Sequence, residues 1–534
     1  MSTIRPLRYL IAAPDGGLAE WQARCIGHLT SVGARAVGRI ATVRTTHGSR
    51  SLFWSMATAL SRPRSLREVR DGIAIPDLPL VKSADALGRD AIDFVIDFDC
   101  GAPGGAIDAS FFAAAPLGCW RFAFAPSPPG APPGAGDLAA GREVACAALV
   151  ACDAQGVVKR VLKRGALAIT RTRPGRHVDE LLYEVARWPA HACDMLQGSG
   201  ASSAAGEIVI DEKSLFDETE QTQGPQGAIG FLVRTLIAGA AALLRRFFFS
   251  SSWNIGVAKA PIESFAKDGP LPEIAWYPKT DVPRFAADPF GLIVDGHRIV
   301  LCESLFPGSD GTIHSASYDG TTWGVDLELS LELGFHLSYP YIIEHEGGVY
   351  CVPEASASGE ISIYRAVTFP DRWEKHATLV SGVGGVDNTI VRFGDRWWMF
   401  AGDIADGPDF KLRIWYADDL FGPWHPHAAN PVKIDVRSSR GAGTPFVVDG
   451  VLYRPSQDCS QTYGGRVIVN RVLKLTPTEF VEESARIVDP ESGGPYRFGL
   501  HTLSRFGENT LVDGKQRFWS ASRWVRLVKR SLRK

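Results

Sequence analysis

Five segments in the second half of the chain restate one pattern. They are ADPFGLIVDGHRIVLCE from Ala287, LSYPYIIEHEGGVYCVPE from Leu337, VDNTIVRFGDRWWMFAG from Val386, AGTPFVVDGVLYRP from Ala442 and LHTLSRFGENTLVDGKQRFW from Leu500. Each sets two apolar runs either side of a short glycine-containing turn, which is how a β-hairpin reads. Aligned on Asp288, Tyr339, Asn388, Thr444 and Thr502, the intervals are 51, 49, 56 and 58 residues. Further strand-like runs follow the hairpins, among them GTIHSASYDG, EISIYRAVTF, KLRIWYADD and GRVIVNRVLKLT. A unit of three or four short strands cannot bury both its faces alone. Five units around one axis bury one another and shorten their exposed edges, so the repeat predicts a five-bladed β-propeller over 251–520. A strand near WNIGVAKAP, 253–261, is expected to close the last blade.

The first half has a different texture. PLRYLIAAP reads as a strand, AEWQARCIGHLTSVG as an amphipathic helix, and AIDFVIDFDCG as a short buried strand carrying Asp93, Asp97 and Asp99. Such mixing of strands and helices predicts an α/β domain over 1–190. SPPGAPPGAG, 127–136, is expected to be a loop, and two strand-like runs, EVACAALVACD and VVKRVLKRGALAITR, come after it. Residues 191–250 read as a linker with an amphipathic helix, and 521–534 as a basic tail. The expected fold class is therefore multidomain, α/β followed by all-β.

The 57 basic and 59 acidic side chains nearly cancel, so no global field gathers nucleic acid. Nine cysteines without a CxxC pair read as reduced thiols rather than a disulfide framework or zinc site, and with a start unlike a signal peptide they predict a cytoplasmic chain. The sequence names no cofactor, and no spacing assigns a metal ligand. Two stretches combine basic and bulky apolar groups: GFLVRTLIAGAAALLRRFFF, 230–249, and the terminal SRWVRLVKRSLRK. Both suit peripheral contact with an anionic membrane face, although the first also reads as a docking helix and the second as a solvated tail.

In a propeller the first strand of each blade lines the channel, and residues at its start crowd one mouth. That places Asp288, Ser338, Tyr339, Asp387, Asn388, Arg440 and His501 together, with Glu303 and Glu354 ending neighbouring strands. Both glutamates fall fourteen residues after their unit's proline. Cleavage or transfer at a glycosidic bond needs one group that delivers a proton and another that stays ionised, which neighbouring carboxylates supply by splitting their pKa values. Asp288 is the candidate base, Glu354 or Glu303 the acid, with Glu354 preferred, and Asp387 a tuning group. The same residues also suit turn and blade-edge hydrogen bonds. RPSQDCSQTYGGR gathers Arg454, Gln457, Asp458 and Tyr463 in a segment too polar for an ordinary strand, suited to sugar hydroxyls, a phosphate or an internal network. His336 is a further substrate-binding candidate.

WNIGVAKAPIESF, ADPFGLIVDG, HLSYPYIIEHEGGVYCVPE, FGPWHPHAANPV and YRPSQDCSQTYG together resemble the N-terminal propeller of plant glucosamine inositolphosphorylceramide transferases, which is similar to the folds of glycoside hydrolase families 43 and 32. The family 43 resemblance implies an Asp base on blade one, an Asp modulator on blade two and a Glu acid on blade three. Asp288 fits the first, but blade two opens on Ser338-Tyr339 and Asp387 lies on blade three, so that triad does not carry over intact. AIDFVIDFDCG, PLGCWRF and VLKRGALAI resemble the N-terminal domain of formyltransferases. Where those enzymes carry Asn-x-His this chain has Cys119-Trp120-Arg121-Phe122, and Asp153 matches their aspartate only approximately, which implies a scaffold that has lost formyl transfer. The leading expectation is a carbohydrate-active protein acting on a glycan, a glycolipid or a sugar nucleotide. The alternatives are a noncatalytic glycan-binding propeller and a formyltransferase acting on an amino sugar.

Overall fold

In the computed structural model, residues 5–14, 17–42, 54, 62–69, 78–87, 91–98, 107–127, 131–198, 228–278, 285–305, 309–324 and 327–520 are described. The basic tail at 521–534 and most of the 191–227 stretch lie outside them. The chain forms two compact units, Met1–Ala242 and Leu243–Lys534.

The first unit holds a six-stranded sheet in the order Arg35–Thr42, Arg8–Pro14, Phe94–Asp97, Cys119–Phe124, Val144–Cys152, Val158–Ala168. The first four strands pair parallel, and Val144–Cys152 pairs antiparallel with both of its neighbours. Phe94–Asp97 is buried along its whole length, as expected of a central strand covered on both faces. Phe94 stacks between Tyr9 and Trp120, with ring centroids 5.2 and 3.8 Å away. The helices Glu20–Ser31 and Trp188–Gly198 pack against each other, and Trp188 and Cys193 are buried, so the unit's core continues past 190.

The second unit is all-β apart from the end of the helix Ala228–Phe248 and short 3₁₀ turns. Blade one runs outward as Phe285–Val294, His297–Leu305, Thr312–Ser317 and Glu328–Leu331. Blade two is Ser338–His345, Gly348–Glu354, Glu360–Thr368 and Arg372–Ser381. Blade three is Gly385–Phe393, Arg396–Asp403 and Lys411–Ala417, edged by His425–Pro426 and Lys433–Ile434. Blade four is Phe446–Val448, Val451–Asp458, Arg466–Leu475 and Phe480–Val488. Blade five combines the chain's end and the unit's beginning: Leu503–Phe506, Asn509–Trp519, Phe249–Ala258 and Ile274–Trp276. The closing segment thus supplies two strands, and the first of them pairs with Asn509–Trp519 along ten residues.

Contacts between inner strands and loops close the ring. Phe290 of blade one meets Tyr339 of blade two edge to face at 4.7 Å, and the Tyr339 hydroxyl lies 2.9 Å from Thr389 of blade three. Gln457 of blade four donates to Asp387 at 2.9 Å, and Gly443 bridges Leu503 of blade five. Thr502 donates back to Asp288 at 3.2 Å. Only glycine fits at 443: its φ is +109°, and an added Cβ would stand 1.9 Å from the Leu503 carbonyl oxygen.

One expectation fails here. RPSQD was expected to be too polar for a strand, yet Val451–Asp458 runs through it. Its polar side chains are buried but partnered: Arg454 chelates Glu482, and Asn470 donates to Ser456 and to the Arg454 carbonyl. Satisfied polar groups are compatible with a buried strand.

Candidate functional site

The same backbone device opens three successive blades. In blade one Leu301 pairs with Phe290 and Glu303 with Ala287, so Asp288 and Pro289 together face Cys302 alone. Tyr339 and Pro340 face Pro353 in the same way, and Asp387 and Asn388 face Ala401. Each is a β-bulge, the common means of re-aiming a side chain next to a site. The leading residues Asp288, Tyr339 and Asp387 have φ of 51°, 46° and 49°. Non-glycine residues avoid this left-handed region, and holding one there costs on the order of 1–3 kcal/mol. Glu303 and Glu354 sit opposite Ala287 and Ser338, one residue before the bulge, while blade three has Gly402 opposite Val386. The repeated fourteen-residue offset is this geometry seen along the chain.

The bulges bring Asp288, Glu303, Glu354 and Asp387 into one recessed cluster, each no more than 7 % exposed. Arg440 ties half of it together. Its Nε donates to Asp387 at 2.7 Å, its Nη1 to Asp409 at 2.9 Å, and its Nη2 lies 3.7 Å from Glu354. Glu354 also accepts the Asp387 backbone N–H at 3.1 Å. The Tyr463 ring covers Arg440 at 4.9 Å and meets His501 edge-on at 5.5 Å. Tyr463 is 39 % exposed, so together with His336 it stands between the cluster and solvent.

His501 anchors the other half. Its Nδ1 lies 2.5 Å from Asp513 Oδ2, and its Nε2 3.7 Å from Asp288 Oδ1. Trp253 stacks on the imidazole at 3.8 Å. Asp513 also accepts the backbone N–H groups of His501, Thr502 and Asp288. Asp288, His501 and Asp513 are close enough to share a metal ion. The donor set suits a proton relay better, because both Asp513 oxygens already accept N–H groups and a cation there would displace them. No metal ligand is assigned.

Burial pushes every carboxylate of the cluster up, and the neighbours decide how far. For Asp288 burial outweighs the attraction of His501, and the Asp387 and Asp513 charges add to it, giving about 6. Asp387 rises to about 7, through burial and the Glu354 charge against the pull of Arg440. Glu354 is raised by burial, with Arg440 and the Asp387 N–H opposing. Glu303 is pushed well above the carboxylate range by burial and by the charges of Asp288, Glu354, Asp387 and Asp513. His336 faces Glu303 with Nε2 at 3.5 Å, while its Nδ1 accepts the Gly311 N–H at 3.0 Å. Burial pulls His501 down, but Asp513, Asp288 and Asp387 outweigh it and the imidazole rises. The environment therefore distinguishes the acid candidates: burial and like charges both raise Glu303, whereas Glu354, preferred from sequence, lies beside the Arg440 cation, which opposes its rise.

Other expected residues hold different places. Tyr339 is fully buried; its hydroxyl accepts the Gly443 N–H at 2.6 Å. Ser338 is buried opposite Glu354. Asn388 donates to the Pro353 carbonyl at 3.2 Å, while its buried Oδ1 meets no partner among the described residues. Gln457 joins the cluster through Asp387 and the Gly441 carbonyl. Arg454 instead binds Glu482 and the Ser438 and Ser439 carbonyls, and Asp458 pairs with Arg466 at 2.8 Å. Arg454 thus follows the internal-network alternative, with its donors committed to blade four and the loop that leads into it. Three residues of the site went unread: Asp513, Asp409 and Trp253. Asp513 precedes a glycine and looks like a turn, yet it lies within the strand Asn509–Trp519.

Residues 276–494 match the family model of the N-terminal domain of glucosamine inositolphosphorylceramide transferase 1. The matched segment takes in blades one to four and most of the cluster, while Trp253, His501 and Asp513 fall outside it. The chain is similar to glucosamine inositolphosphorylceramide transferase 1 of Oryza sativa subsp. japonica, 30% identical over 310 residues that cover 56% of this chain and 41% of the relative. The Arabidopsis thaliana protein of the same name is 33% identical over 258 residues, covering 43% of this chain and 33% of that protein. The chain thus spans about two fifths or less of the length of these relatives. Among solved structures it is similar to Zg3597, a family 117 glycoside hydrolase of Zobellia galactanivorans, with TM-score 0.33, 14% identity, and coverage of 50% of this chain and 90% of that one. It is also similar to CoXyl43, a GH43 β-xylosidase/α-arabinofuranosidase from a compost metagenome, with TM-score 0.32, 14% identity, and coverage of 44% and 91%.

Proposed function

We propose that the propeller mouth handles a glycan or glycoconjugate by glycosyl transfer or hydrolysis, with Glu303 as general acid and Asp288 as general base. The observation that carries this is the split environment of the two groups. Burial and the carboxylates around it push the Glu303 carboxyl well up, favouring its protonated form, while Asp288, at about 6, is ionised at neutral pH and faces the Asp513-held imidazole of His501. Delivery of the Glu303 proton to the leaving oxygen breaks the glycosidic bond. Asp288 takes the proton of the attacking hydroxyl or water, so both oxygens end with the correct valence. Arg440 and Gln457 hold Asp387 in place beside them. The family match and the transferase names of the curated relatives support a carbohydrate substrate, and a glycolipid is the class we favour.

A second reading, noncatalytic glycan binding, is favoured by one observation: the carboxylates lie beneath the surface, with His336 and Tyr463 at the rim. Incubation with a panel of labelled oligosaccharides, glycolipids and sugar nucleotides separates the two. Catalysis predicts a new product that disappears in Glu303→Gln and Asp288→Asn; saturable binding with no product in any protein supports the second reading. Residual formyl transfer has least support. Cys119–Phe124 is a buried strand, and Asp153 is committed to the N–H groups of Gln155 and Val157. We therefore read the first unit as a scaffold, in a cytoplasmic protein.

A further inference from the structure

The helix Ala228–Phe248 exposes an apolar stripe that the sugar site does not explain. Val233, Leu236, Ile237, Ala240, Leu243 and Leu244 recur at helical spacing along one face. Leu236, Ile237, Leu243 and Leu244 are each more than half exposed. Isolated surface leucines need no explanation, but a continuous stripe of them marks an interaction surface.

What surrounds the stripe's end indicates the partner. Arg245 and Arg246 follow it, both exposed. Within the second unit Phe249 pairs across the sheet with Trp519, the most exposed large apolar side chain among the described residues at 67 %. Arg517 sits in the same ladder opposite Ser251, two residues from the Phe249–Trp519 pair, and partial burial and the Arg245 charge push its guanidinium down. Beyond Ser520 the sequence continues with six Lys or Arg among its last twelve residues, with Trp524, Val525, Leu527 and Val528 between them. Leucine and isoleucine in a row, tryptophan at the margin and clustered arginines are the groups that lie at the headgroup boundary of an anionic bilayer. Among the described residues no helix is long and apolar enough to cross a membrane, which suits a helix lying along the surface.

We infer that the part of the helix Ala228–Phe248 within the second unit, with Leu243 and Leu244 exposed, together with Phe249, Trp519 and the adjoining arginines, docks on an anionic lipid surface. The inference is independent of any chemistry at the propeller mouth.

Flotation of the full chain with vesicles of phosphatidylcholine alone, or with about 30% phosphatidylserine, tests it. The expected result is about tenfold more protein on the anionic vesicles, falling several-fold when salt rises from about 0.1 to about 0.5 M. Leu243→Asp with Leu244→Asp should lose at least about tenfold of that binding with an unchanged circular dichroism spectrum. Should that variant misfold, Arg245→Gln with Arg517→Gln and Trp519→Ser each provide an independent reading, with several-fold losses expected. Equal binding to both vesicle types overturns the inference. So does full binding by the helix variant when alanines at Arg523, Arg526, Lys529 and Arg530 abolish it, because the tail then acts alone. A lipid-free dimer that the helix variant converts to monomer also overturns it, by naming a second copy as the occupant.

Discussion

Replacing Asp288 by asparagine should make the protein more stable and inactive at once. The Asp288 carboxyl has a folded pKa of about 6 against an ordinary value of 3.8, with burial as the first cause. A carboxylate with a raised folded pKa costs stability once the unfolded chain can ionise. The cost is absent below the unfolded value, grows as pH rises, and is complete above the folded one. A difference of roughly 2 units at about 1.4 kcal/mol each gives about 3 kcal/mol at pH 8 and close to none at pH 4. Asp288 is only 4 % exposed, so solvent screening removes little of this. Asparagine keeps an oxygen for Thr502, which donates to Oδ1, and carries no charge to bury. At about 2–4 °C per kcal/mol for a large domain, the propeller transition of Asp288→Asn should lie about 6–12 °C above wild type at pH 8 and converge with it near pH 4. Scanning calorimetry of the full chain across that range reads the difference directly, and turnover of a glycan substrate should fall at least about hundredfold. A melting difference independent of pH would refute the electrostatic reasoning, and a stabilised variant with full turnover would remove Asp288 from the chemistry.

Glu303→Gln should lower turnover by about 10²–10⁴-fold and abolish the alkaline limb of the pH–rate profile, because that limb reports loss of the acid's proton. Asp513→Asn should destabilise the propeller by about 1.5–3 kcal/mol, the worth of a hydrogen bond to a charged group, and shift the pH–rate profile as His501 loses its raised pKa; a purely structural role predicts the melting change without the shift. Arg454→Ala should cost about 3 kcal/mol, because buried Glu482 loses both guanidinium hydrogen bonds and keeps the Lys433 cation as its partner, with turnover per folded molecule unchanged. Altered turnover there would place Arg454 back in the site.

The propeller could be read because a blade repeats a local event: an apolar strand, a glycine turn and a second apolar strand. Asp288, Tyr339, Asn388, Thr444 and Thr502 all fall at or near the starts of inner strands. What sequence could not supply was the pairing across the ring. Asp513 lies 225 residues from the Asp288 N–H that it accepts, and nothing local distinguishes that Asp-Gly from a turn. Choosing between Glu354 and Glu303 requires knowing where Arg440, on the loop before blade four, points. The polar run at Arg454 reads as loop only while its partners are unknown; Glu482 and the Ser438 and Ser439 carbonyls make it a satisfied second strand of blade four. The bulges were visible only as their shadow, the matching offset of the two glutamates.

The most direct test of the sugar-site account is a crystal structure of the protein soaked with the glycan it binds most tightly from the panel. The account predicts the glycosidic oxygen within hydrogen-bond distance of Glu303, a ring face against Tyr463, and Asp288 on the opposite side of the scissile carbon. A glycan seated elsewhere on the propeller, with Glu303 and Asp288 untouched beneath His336 and Tyr463, would contradict it.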